Sequence, residues 1–298
     1  MKNLKRWLKR SLFYGAVAIF CFFSASPFIW MLITMFKQDK DLYRSANNPF
    51  LFNEPPTLEH LELLINGTNF PVFLRNSMFI GVLVVIITLV ISIPAAYSLA
   101  RLVGRWGERA GIGIFLVYLV PPTLLFIPLA RVVVSLGLHN SLWSMVLVYP
   151  TITIPFSTWL LMGFFKSIPK DLEEAARVDG YSRLRSFIKV ILPLSISGVV
   201  AVTAFTFTLT LHEFVYALAF VTSSAQRTIS VGVPTELVRG DVFYWQSLMA
   251  AAAIVARPTY PDMTSTHAQT SNRGRISSGP RTISVPTNVA APLPPRKR

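Results

Sequence analysis

Five stretches of this chain are apolar, nearly free of charge and long enough to cross a bilayer, and that limits what it can fold into more than any other feature. A spanning helix needs about 20 mostly apolar residues to cross a hydrocarbon core of roughly 30 Å. The runs cover 11–36, 77–100, 111–134, 142–165 and 194–221. Composition agrees: 52% of residues are hydrophobic and 14% charged, against a charged share of roughly 25% in soluble domains. Prolines fall inside several runs, as at Pro121, Pro122 and Pro128. Membrane helices that pack on one another tolerate this, because neighbours satisfy the freed backbone groups. The fold class expected is all-α, a polytopic membrane helix bundle.

The first run has a basic prefix and the small residues Ser24-Ala25-Ser26, as a signal peptide would. Its apolar character continues through Phe28-Ile29-Trp30-Met31-Leu32-Ile33, past a cleavage point, so it reads as a span. Lysine and arginine counts in short loops set the orientation. With the N-terminus inside, the inner segments 1–10, 101–110 and 166–192 hold fourteen basic residues. The longer outer segments 37–75, 135–141 and 222–246 hold six. A multi-pass protein with a cytoplasmic N-terminus follows, with 1–10 as a basic cytoplasmic segment. Within it Leu4, Trp7 and Leu8, interleaved with basic residues, read as an anchor on anionic lipid.

The net charge of +14 invites a nucleic-acid reading, but the charge is terminal. Residues 1–10 contribute five positive charges and 257–298 a net of six, leaving three for the body, so nucleic acid is not an expected partner. A sixth span begins at 247–256 and is cut short at Arg257-Pro258. Ten residues give only about 15 Å of helix, arginine is costly at mid-bilayer and proline continues helices poorly. Residues 257–298, with seven prolines, have a disordered composition. The expectation is a permease body over 11–256 with a truncated sixth span, followed by a non-native tail of the kind a shifted reading frame produces.

The loop between the fourth and fifth spans, 166–193, carries the densest pattern. Pro169 with Asp171, Glu173 and Glu174 behind it is a helix start, with acids at the positive end of the dipole. Leu172, Ala175, Ala176 and Val178 give that helix an apolar side, and Gly180 is a stop signal. Ser182 caps a second short helix that ends before Pro193. Such a compact pair of helices suits insertion into a partner's groove, or serves as an ordinary amphipathic linker.

Glu174-Ala175-Ala176, three residues, Gly180, nine residues, then Val190-Ile191-Leu192-Pro193 resembles the E-A-A-x3-G-x9-I-x-L-P signature of ABC-importer membrane subunits, with Val190 in place of isoleucine. Phe126-Ile127-Pro128-Leu129, Leu136-Gly137-Leu138-His139-Asn140 and His212-Glu213-Phe214 resemble the maltose-type carbohydrate permeases within that family. Leu211 and His212 stand where those permeases usually carry Trp and Asn. The resemblance runs from about residue 11 to 256 and implies a six-span permease core in a bacterial inner membrane. It implies a second related permease, two ATPase subunits and an extracytoplasmic solute-binding protein as partners, with a sugar or polyol as cargo. It makes 166–193 the coupling loop, with Glu174, Ala175, Ala176, Asp179, Gly180, Leu192 and Pro193 as ATPase-coupling residues.

The sequence contains no G-x-x-x-x-G-K-[ST] phosphate loop, so this chain is expected to bind no cofactor, with MgATP held and hydrolysed by the partner ATPase. It is therefore not expected to be an enzyme. His212 and Glu213 are the acid and histidine inside the spans. Groups at that depth line an aqueous path or pair structurally, and with Thr208 and Thr210 they form a candidate translocation set. The alternatives are a permease for another small solute, or a secondary transporter or channel that needs no ATPase.

Overall fold

The computed structural model describes residues 2–240 and 242–256, so the expectations for 257–298 lie outside the described residues. The described chain is almost entirely helical, in keeping with an all-α membrane bundle. Helix α1 (Lys2–Met35) is one continuous rod that joins the basic prefix to the first apolar run. Pro27 deprives the Phe23 carbonyl of its intrahelical donor, and the Ser26 hydroxyl takes over at 2.8 Å. Short helices α2 (Asp39–Tyr43) and α3 (Glu59–Asn66) follow. The long α4 (Phe70–Tyr97) ends in a π turn over Ser98–Leu102. Next come α5 (Arg105–Tyr118), α6 (Pro122–Ser135) and α7 (Leu142–Ser167).

Two of the expected spans are not straight rods. The run 111–134 is split into α5 and α6, which meet at 86°. The cause is Pro121-Pro122: residues before proline avoid helical angles, and α6 restarts with Pro122 in its first turn. The run 194–221 ends as a helix at His212, giving α11 (Ile196–His212), and a separate α12 (Val215–Phe220) follows. At its other end α11 meets the preceding segment 183–194 at 71°. After α12 come α13 (Ile229–Leu237), a hairpin of the two-residue strands β1 (Val238–Arg239) and β2 (Val242–Phe243), and α14 (Trp245–Ala256). Helix α14 reaches the edge of the described residues and packs on α1, α3 and α13.

The centre of the bundle is α4 against α7, with α11 against both. Lipid cannot drive apolar helices together as water does, so close approach and polar contacts hold them. Thr88 and Thr153 hydroxyls lie 2.6 Å apart, and the Ser92 hydroxyl donates to Ile154 O at 3.4 Å, both buried between α4 and α7. Ser157 and Thr206 make the matching contact between α7 and α11 at 3.5 Å. Gly198 lets α11 lie on the Phe164 ring, where a Cβ would stand 2.5 Å from the nearest ring carbon.

At the end of the bundle away from 166–193, the loop 37–57 folds around a buried ion pair. Lys37 and Asp41 are closed off from solvent, with Nζ 3.4 Å from Oδ2. Lys37 also donates to the carbonyls of Asn48 and Leu51, while Asn47 and Asn53 donate to Asp41. Burial alone would raise the Asp41 pKa, but the Asn53 hydrogen bonds and the Lys37 charge outweigh it and bring it from 3.8 to about 2. Stability from this site is thus complete above pH 3.8 and fades as pH falls through about 2. Asp41→Leu is expected to lower the thermal unfolding temperature of the detergent-purified protein by leaving a buried ammonium unpaired. The double variant Lys37→Met/Asp41→Leu recovers part of that loss.

Candidate coupling site

The loop 166–193 forms at the end of α7. Ile168 and Pro169 leave helical angles, and helix α8 (Lys170–Val178) starts with Pro169 as its N-cap. Asp171 and Glu173 fall in the first turn and Arg177 in the last, each suited to the dipole end it occupies. Gly180 then takes φ +86°, Gly180 N–H donates to Arg177 O at 3.1 Å and Tyr181 N–H to Ala176 O at 3.0 Å. That pair of bonds is a Schellman ending, which needs a left-handed residue just past the helix end. The Ser182 hydroxyl accepts from Arg185 N–H at 3.3 Å and caps α9 (Arg183–Ser186).

The second helix does not stop before Pro193. It passes through a π turn over Phe187–Ile191 into α10 (Leu192–Leu194), with Pro193 in the first turn of that segment. The wider turn carries the chain past a residue that offers no N–H.

The structure separates the seven candidate coupling residues into two groups. Glu174, Ala175, Asp179 and Gly180 are exposed on or beside α8. Ala176 is buried, and Leu192 packs into the apolar cluster of Ala96, Leu161, Phe165 and Ile191. Pro193 is exposed at the foot of α11. Apolar side chains also face outward on the loop: Val178 is 88% exposed and Leu184 67%, with Leu172 and Ile188 about half exposed. On segments beyond the ends of the spans, such residues mark a contact surface. Beside them a cavity of about 260 Å³ is lined by Arg101, Lys170, Glu173, Glu174, Arg177 and Arg183.

Two residues that the motif does not contain hold the loop from inside. The Tyr97 hydroxyl donates to Glu173 Oε1 at 2.7 Å, and Arg101 Nη2 donates to Phe165 O at 2.7 Å and to Ile168 O. Their sequence signal is slight: an aromatic and the first basic residue after the uncharged run 77–100, four apart. Lys166 adds a half-exposed pair with Glu108 at 3.3 Å, which contributes little.

The candidate translocation residues divide too. Thr208 and His212, one turn apart, are exposed on α11. Thr210 is buried and donates to Thr206 O at 2.7 Å. Glu213 is tied down: its carboxylate accepts from Tyr149 Oη at 3.0 Å and from the N–H groups of Tyr216 and Ala217 at 3.1 Å. Its own carbonyl accepts from Ser230 Oγ at 2.6 Å. Glu213 therefore caps α12 and joins it to α7 and α13. Glu213→Ala is expected to cost about 1–3 kcal/mol by leaving a buried donor unpaired, read as thermal unfolding in detergent. Glu213→Gln, which still accepts, is expected to cost less, and His212→Ala to change stability by no more than about 0.5 kcal/mol.

Residues 92–257, more than half the chain and including the whole loop, match the family described as binding-protein-dependent transport system inner membrane component. The trehalose/maltose transport system permease protein MalG of Thermococcus litoralis is 36% identical over 262 residues, 86% of this chain and 90% of that protein. The inner membrane ABC transporter permease protein YcjP of Escherichia coli is 30% identical over 87% of this chain and 92% of its own. The sulfoquinovosyl glycerol transport system permease protein SmoH of Agrobacterium fabrum is 33% identical over 77% and 79%. The fold is similar to a chain in the crystal structure of a bacterial ABC transporter involved in the import of the acidic polysaccharide alginate. That match has a TM-score of 0.67 and 17% identity, and covers 91% of this chain and 97% of that one. The exposed helix–glycine–helix loop, the bent spans and these relatives agree: the chain belongs to the family of inner-membrane components of binding-protein-dependent ABC importers.

Proposed function

We propose that this chain is one of two related permeases in an ABC importer for a sugar or polyol, with its N-terminus in the cytoplasm. Loop 166–193 docks on a cytoplasmic ATPase. The observation that carries this reading is the outward face of α8, where Glu174, Ala175, Asp179 and Gly180 stand exposed. Two ATPase subunits and an extracytoplasmic solute-binding protein complete the assembly. MgATP is bound and hydrolysed by the ATPase, and this chain makes or breaks no covalent bond. The cargo class is supported by the relatives, two of which are named for trehalose/maltose and sulfoquinovosyl glycerol transport.

In this mechanism the ATPases draw together on binding ATP and displace α8. The bundle follows, and the cavity between the permeases turns from inward- to outward-facing. Gly180 sets the angle between α8 and α9, because φ +86° suits glycine and excludes β-branched side chains. A Cβ there meets nothing within 4 Å, so a substitution acts through backbone conformation.

The test is purification of the complex by a tag on this chain, with the ATPase expressed alongside, together with an uptake screen over labelled sugars and polyols. The wild-type chain retains the ATPase, and Gly180→Val loses it at equal membrane abundance. Uptake of at least one sugar or polyol depends on ATP and on the ATPase chain. Uptake that persists without the ATPase chain supports a secondary transporter or channel instead.

A further inference from the structure

Helix α8 is attached weakly by its own packing. Ala176 is its one buried residue, its entry is the extended pair Ile168-Pro169 and its exit is the left-handed Gly180. A nine-residue helix with a single buried alanine gains little from apolar contact. A hydrogen bond from Tyr97 ties α8 itself to the bundle, and Arg101 holds the carbonyls just ahead of it; the two donors lie where α4 ends and runs into its π turn.

Tyr97 and Arg101 stand four residues apart there and reach both limbs of the loop. The Tyr97 hydroxyl is bonded to Glu173 on α8. Its ring lies 4.3 Å from that of Phe187, in the π turn after α9, and 6.1 Å from Phe165 on α7. Arg101 occupies a position the backbone has left open. In a continuing helix Phe165 O would accept from the N–H of residue 169, but that residue is proline. The guanidinium supplies the missing donor, reaches Ile168 O as well, and puts a fixed positive charge at the negative end of α7.

Resting on the coupling reading above, we propose that Tyr97 and Arg101 are positioning residues that make α8, α4 and α7 move as one. Displacement of 170–178 by the ATPase passes to α4 through the Tyr97–Glu173 hydrogen bond, and to α7 through the grip of Arg101 on its last carbonyls. Neither residue touches nucleotide or cargo.

The experiment measures amide hydrogen exchange of the complete complex in lipid nanodiscs, with and without MgATP and vanadate as the probe. In the wild-type complex the probe changes exchange at 170–178 and also at 92–102. In Tyr97→Phe, which keeps the ring contacts, the change persists at 170–178. At 92–102 it falls to less than about half of its wild-type size. Arg101→Met gives the corresponding loss at 160–168, and Arg101→Lys restores part of it. Glu173→Gln, which keeps an oxygen acceptor for Tyr97, retains the response at 92–102. A response at 92–102 and 160–168 that is undiminished in both Tyr97→Phe and Arg101→Met overturns the proposal. So does a loss at 170–178 equal to that at 92–102, since that is the mark of general destabilisation. A wild-type complex whose 170–178 segment ignores the probe overturns the coupling reading itself, and this proposal with it.

Discussion

A backbone carbonyl in hydrocarbon has no water to turn to, and much of this structure is a response to that constraint. A proline removes a donor, and at several of them the chain supplies a substitute or bends. At Pro27 the Ser26 hydroxyl serves the orphaned carbonyl, and α1 stays continuous. At Pro121-Pro122 the helix breaks by 86°. At Pro169 the substitute comes from another helix, as the Arg101 guanidinium, and a local need of α7 becomes a link between α4 and the loop. Glu213 follows the same logic where α11 ends, its carboxylate serving the free N–H groups that open α12.

The loop that results has two unlike sides. Inward, Ala176, Phe187 and Ile191 are buried, and the Tyr97 ring packs in one cluster with the last two. Outward, Val178 and Leu184 stand exposed beside a cavity rich in charge. The proposed coupling role calls on both sides, one for a moving partner to grip and one to move the bundle in turn. The sharp ending at Gly180 allows them to coexist in so short a segment, because it turns the chain without a linker.

Much of this was legible in the sequence. The run 77–100 falls within α4 and the π turn that ends it, and 142–165 within α7, and their apolar windows leave little alternative. Pro169, the acids behind it, Gly180 and Ser182 marked the loop helices, because helix ends are written in local chemistry. Prolines announced a break in 111–134 but not its angle, which depends on what the two halves pack against. The expected stop before Pro193 failed because a π turn carries the chain past it. For Glu213 a path role and a structural one are equally readable in the sequence, which carries no sign of the bonds its carboxylate accepts from Tyr149, Tyr216 and Ala217. Tyr97 and Arg101 escaped notice because their partners lie 76, 64 and 67 residues away. No local pattern encodes a contact of that range.

The central claim is that the outer face of α8 meets the ATPase, and site-directed cross-linking tests it most directly. The native Cys21 is replaced by serine, Ala175→Cys is introduced, and the assembled complex is treated with a short thiol- and amine-reactive reagent. The account predicts one dominant cross-linked product, containing this chain and the ATPase, whose yield changes when MgATP is added. A cross-link to lipid-embedded partners alone, or none to the ATPase in a complex that retains it, contradicts the claim.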